Sequence, residues 1–109
     1  VISDAKKIAN YTCEIDCNHK LFKMEDGINY TEGHHLIPIK YFNDFDYDID
    51  VVENICVLCP NDHRILHYGN KVDKIELLGI LYYKKIDGLK RVGLNISFED
   101  LLRMYNILS

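Results

Sequence analysis

Apolar positions along this chain change their spacing several times, and each change predicts a different element. Ala5, Ile8 and Ala9 recur at helical intervals and predict a short helix over 3–10, with those three residues toward the core. The stretch "INYTEGHHLIPI" (28–39) reads as a strand pair or one kinked strand, and Pro38 limits how far it runs. "NICVLC" (54–59) is β-rich, and "PNDHRILHYG" (60–69) follows as a helix. Pro60 suits its first turn, Asp62 its positive N-terminal end, and Gly69 its stop. In 71–85, Val72, Ile75, Leu78 and Tyr82 again fall at helical spacing. A last helix opens at "SFED", with Ser97 as N-cap and Asp100 in a capping-box-like position. Leu101, Leu102, Tyr105 and Leu108 form its expected apolar stripe. These stripes are core or interface material.

Two stretches fit neither period. "YTCEIDCNHKLF" (11–22) crowds Cys, Asp, Asn and His into a knuckle that suits a tight turn around a metal better than a strand. "NDFDYDID" (43–50) holds four aspartates but lacks the central glycine and terminal glutamate of a calcium loop, so it reads as a solvated acidic loop.

Length and composition narrow the class. The chain has 109 residues, 48% hydrophobic and 28% charged, which suits one packed domain and not a disordered segment. Its longest apolar run, "IELLGILYY", contains Glu76 and is too short to span a bilayer, so no membrane role is expected. Four cysteines without a secretory signal point to metal ligation in a cytoplasmic setting before disulfides. The missing initiator Met suggests a piece of a longer protein. A net charge of −4 argues against a broad basic surface, so any grip on nucleic acid must come from a local patch, a metal or another domain.

Chemistry concentrates in the five histidines. His63 and His67 are four apart, so a helix puts both rings on one face. With His34 or His35 they make a three-histidine metal site. Adjacent residues on a strand point to opposite faces, so His34 and His35 are expected to divide labour, one binding the ion and the other acting as a base. Phosphodiester hydrolysis needs that division: a divalent ion to neutralise the phosphate, and beside it a group of near-neutral pKa to activate water.

"EGHHLIP", Asn54 in "VENICVL", and "CPNDHRILH" together resemble the HNH, or ββα-metal, endonuclease motif. The resemblance covers a core over 13–69, with 70–109 as a helical extension like that of some restriction-type members, and it implies an α+β fold. It implies that His35 is the general base, that His34 and His63 are metal ligands, and that His67 is an additional one. Asn54 would brace the loop and orient His35, and Glu32 would support the site. Arg64 and Lys40 are candidate phosphate contacts. The family leaves a 5′-phosphate and a 3′-hydroxyl. The histidine-rich shell leans toward Mn²⁺, Ni²⁺ or Zn²⁺ over Mg²⁺.

Many members of that family also carry a structural zinc knuckle, with a CxxC running into the closing histidine. Here Asp62 stands where those members have the second cysteine. The preferred shell is Cys13, His19, Cys59 and Asp62. Cys17 is an alternative to His19, and Cys56 can supply a fourth thiolate, although strand alternation turns it away from Cys59. The rival is a lost zinc site, with Asp62 only capping the helix.

The resulting expectation is a single HNH domain over 1–109 that hydrolyses DNA in restriction or defence, beside an upstream recognition domain. Two-strand cutting by one site per chain favours a homodimer. The alternatives are a catalytically silent, zinc-stabilised nucleic-acid-binding module, and a toxin nuclease domain of colicin type. Toxin nucleases of that type are usually basic, unlike this chain.

Overall fold

The computed structural model describes all residues, Val1–Ser109, as an α+β fold with one two-stranded antiparallel sheet and several helices. Helix α1 (Ile2–Ile8) is followed by a long irregular stretch and strand β1 (Glu32–His35). A 3-10 turn over Ile39–Asp44 and the acidic loop lead to strand β2 (Ile55–Leu58) and helix α2 (Pro60–Tyr68). Helices α3 (Lys71–Arg91) and α4 (Phe98–Met104) complete the chain. No helix is long and apolar enough to cross a membrane.

All four β2 residues are buried because both faces of the strand are covered. Cys56 and Leu58 face the main core, with Leu66 of α2 and Leu77, Leu78 and Leu81 of α3. Ile55 and Val57 face α1 through Ala5. Directly paired residues share a face. His34 lies opposite Cys56 and His35 opposite Ile55, so the two histidines leave β1 on opposite sides. Gly33 lets α1 approach: a Cβ there would come within 2.6 Å of Ile2 Cγ2.

The knuckle is fastened to the outer edge of β2. Glu14 N–H donates to Val57 O at 2.8 Å, and its carboxylate accepts from Val57 N–H at 2.8 Å and from Lys85 Nζ at 3.0 Å. The Lys84 ammonium also donates to the Glu14 carbonyl.

Several expectations need correction. Ile8 is 74% exposed, since a seven-residue helix over a narrow sheet buries only its central Ala5. Strand structure in 28–39 is confined to 32–35, plus one isolated bridge between Lys23 and Asn29. The helix expected over 71–85 runs on to Arg91, and its buried face is Leu77, Leu78, Leu81, Tyr82 and Leu89. Val72 (74%) and Ile75 (39%) are exposed because the first turns of α3 lie beyond the core. Ser97 Oγ does accept from Asp100 N–H, but the Asp100 carboxylate turns to Arg103 and leaves the reciprocal half of the box unmade. Leu108 lies past the end of α4 and is 43% exposed, so it does not extend the Leu101/Leu102 stripe.

Candidate metal centre

One turn of α2 brings His63 and His67 side by side, with Nε2 atoms 3.0 Å apart. His34 reaches the same place from β1, its ring centroid 5.1 Å from that of His63 and 5.2 Å from that of His67. One ligand nitrogen from each of the three lies within 4.8 Å of the others. The site therefore forms at the junction of β1 and α2, where His34 on the Cys56 side of the strand meets two histidines of that helix.

The neighbours fix the protons. Glu32 Oε1 is 2.9 Å from His63 Nδ1, and a carboxylate only accepts, so Nδ1 carries the proton and Nε2 the lone pair. Glu32 is itself held by Tyr30, whose hydroxyl donates to Oε2 at 2.7 Å. That bond, then the one from His63, holds the Glu32 carboxyl below its ordinary range. Burial, reinforced by the other histidines, pushes His34 down to about 3. Burial also lowers His67, with smaller contributions from His63 and Lys74. Neutral imidazoles are the form that binds metal, and three such ligands leave positions open for water or substrate. The donor set fits a divalent ion.

His35 stands on the other side of β1, where its Nε2 lies 2.9 Å from Asp50 Oδ1. Asp50 closes a turn in which its N–H donates to Asp48 Oδ1 at 2.9 Å. The carboxylate accepts from Nε2–H and leaves the lone pair on Nδ1. Asn54 is fully buried and touches no solvent. Its Oδ1 accepts from Ile37 N–H at 2.9 Å, while Nδ2 donates to Ile37 O at 3.1 Å and Ile49 O at 2.9 Å. One side chain thus ties the end of the histidine strand to the residue before Asp50.

Both histidines border an open cleft of about 450 Å³, which Lys40, Lys74 and Tyr105 also line. Lys40 stands over the Tyr41 ring, 5.2 Å from its centroid. Arg64 is exposed on α2 and lies outside this lining. Asp50, Lys74 and Tyr105 were not legible as site residues. Asp50 had the signature of a solvated loop, Tyr105 that of a helix stripe, and Lys74 carried no local signal.

A second cluster gathers at the start of α2. Cys13, His19, Cys59 and Asp62 bring one ligand atom each within 4.8 Å of one another. Cys13, Cys59 and Asp62 are 2%, 5% and 4% exposed. Asp62 Oδ2 lies 2.8 Å from His19 Nδ1 and 3.3 Å from Cys13 Sγ. The α2 N-cap is Cys59, whose sulfur accepts from Asp62 N–H at 3.4 Å, so capping does not account for the Asp62 carboxylate. The carboxylate meets two thiols and one imidazole, and these are zinc ligand types in number and kind. Burial pushes the Cys59 thiol up to about 12, a group that coordination would deprotonate. Cys17 is exposed, and Cys56 is sealed in the core with its thiol also raised to about 12 by burial.

No protein-family profile matches the chain. A 70-residue stretch is 37% identical to the type IV methyl-directed restriction enzyme EcoKMcrA of Escherichia coli (strain K12). The match covers 64% of this chain, which spans only 23% of that enzyme's length.

Proposed function

We propose that this chain is a metal-dependent endonuclease domain of the HNH, ββα-metal, type that hydrolyses DNA phosphodiester bonds in a restriction or defence role. The observation that carries the reading is the convergence of His34, His63 and His67 within 4.8 Å, with His35 bordering the same cleft. Similarity to a bacterial restriction enzyme supports it. On this reading β1, β2 and α2 form the ββα core and α3 and α4 an extension.

His34, His63 and His67 would hold a divalent ion, which when bound neutralises the phosphate and stabilises the departing oxygen. The chain's own residues supply the rest. His35 Nδ1 takes the proton of the attacking water, and Asp50 stabilises the imidazolium that results. Asn54 keeps His35 and Asp50 in register. Lys40 and Lys74 place positive charge along the cleft, where phosphate oxygens of the strand would lie. Arg64, on the exposed face of α2, can contact phosphate only at the periphery. Cys13, His19, Cys59 and Asp62 would hold a structural zinc that pins the knuckle to α2. With a net charge of −4, target selection falls to a separate recognition domain, and cutting both strands to a pair of chains.

Plasmid cleavage across Mg²⁺, Mn²⁺, Ni²⁺, Co²⁺ and Zn²⁺, with EDTA and His35→Ala as controls, tests the reading. Metal-dependent nicking that His35→Ala abolishes is the expected result. A folded, metal-loaded chain that binds DNA under these ions without cutting it would favour the zinc-stabilised binding module instead.

A further inference from the structure

Tyr105 reaches the histidine cleft from the C-cap of α4, outside the segment that carries the motif. Its hydroxyl has one proton and two close neighbours, Leu36 O at 2.6 Å and His34 Nε2 at 2.7 Å. The His35 carbonyl is a third, more distant acceptor at 3.4 Å. A carbonyl oxygen can only accept, so the phenol proton goes to the backbone. Toward His34 the phenol oxygen must then accept, which puts the imidazole proton on Nε2. A neutral imidazole protonated at Nε2 has its lone pair on Nδ1.

We propose that Tyr105 is a positioning residue that holds His34 with its proton on Nε2, so that His34 offers the ion Nδ1. His63, whose Nδ1–H donates to Glu32, offers Nε2. The two outer partners thus set opposite tautomers in neighbouring ligands. The inference rests on the metal-site reading above. Tyr105 is suited to the task because its backbone is fixed twice: Leu101 and Leu102 are buried in the core, and Tyr41 Oη donates to Met104 O at 3.3 Å. A hydrogen bond to the far nitrogen of a metal-ligating histidine fixes ring orientation and raises ligand basicity, and losing it typically weakens metal binding about 10–100-fold.

The test uses the full chain, labelled with ¹⁵N and loaded with ¹¹³Cd²⁺. Metal–nitrogen coupling is expected at His34 Nδ1 and at His63 Nε2. In the metal-free protein, long-range ¹H–¹⁵N spectra should show His34 protonated at Nε2. Mn²⁺ titration should then show Tyr105→Phe weakened about 10–100-fold. Tyr83→Phe, which removes an exposed phenol on α3 outside the cleft, should stay within about twofold because separate sites act independently. Coupling through His34 Nε2, a metal-free His34 protonated at Nδ1, or a folded Tyr105→Phe that binds Mn²⁺ like the parent overturns the inference and leaves the metal site standing. Failure of any ion to enter the histidine site overturns both.

Discussion

Glu32 Oε1 lies 2.9 Å from His63 Nδ1, and the two residues come from different elements, β1 and α2. The contact closes the strand onto the helix and also selects the nitrogen that His63 presents. Glu32→Gln keeps the shape but can present an amide N–H in place of an acceptor. Metal affinity of the histidine site should fall about 10–100-fold, read by Mn²⁺ titration, with little change in the thermal midpoint of the metal-free chain.

Asp50 is half-exposed, so its bond to His35 is worth little as a stabilising ion pair. Its effect should appear in catalysis. Removing a general base typically costs about 10²–10⁴-fold, which is the loss expected for His35→Ala. Asp50→Asn should lose less than that, because His35 keeps its place but the imidazolium formed in the reaction loses its counter-charge. Equal rates for Asp50→Asn and the parent would remove Asp50 from the mechanism.

Asn54→Ala leaves Ile37 N–H, Ile37 O and Ile49 O without their side-chain partner in a dry interior. At about 1–3 kcal/mol per buried group left unpaired, the loss should reach about 3 kcal/mol or more. Urea denaturation should show it as a lower midpoint, whereas His35→Ala should leave the midpoint near that of the parent.

The knuckle should retain one tightly held ion through dialysis, measurable by elemental analysis at one equivalent per chain. Cys59→Ser should lose it and melt earlier, because structural zinc sites in general couple metal binding to folding. Asp62→Cys should keep the ion, since a second thiolate replaces one zinc ligand with another. Loss of the ion in Asp62→Cys with retention in Asp62→Ala would show that position 62 contributes no ligand.

Acid should destabilise the metal-free chain through His34. Burial holds its folded-state pKa at about 3, against an ordinary 6.5. Between those values the unfolded chain binds a proton that the folded one refuses. The stability this residue contributes is therefore complete above pH 6.5 and falls as pH drops toward 3. The slope from one such group approaches about 1.4 kcal/mol per pH unit. Denaturation of His34→Gln in EDTA should show a shallower acid dependence.

Much of the local structure follows from spacing alone. The i, i+4 interval put His63 and His67 on one helix face, proline and glycine marked the ends of α2, and Ser97 marked the start of α4. Strand alternation separated His34 from His35 and turned Cys56 into the core. Cys13, His19, Cys59 and Asp62 were legible as one group of metal-ligating residue types, and the fold brings an atom of each within 4.8 Å of the others. These readings rest on interactions within a turn or between adjacent residues, where sequence order and spatial order coincide.

What only the tertiary structure decided is which partner sits behind each histidine. Tyr105 is 71 residues from His34, Glu32 is 31 from His63, and Asp50 is 15 from His35. No periodicity links such pairs, because their meeting depends on how α4, β1 and the acidic loop pack around β2. The same packing left Ile8, Val72 and Leu108 in water despite their apolar spacing. Sequence determined the kinds of groups and their local faces. The fold determined which group faces the outer nitrogen of His34, His35 and His63, because those partners come from distant parts of the chain.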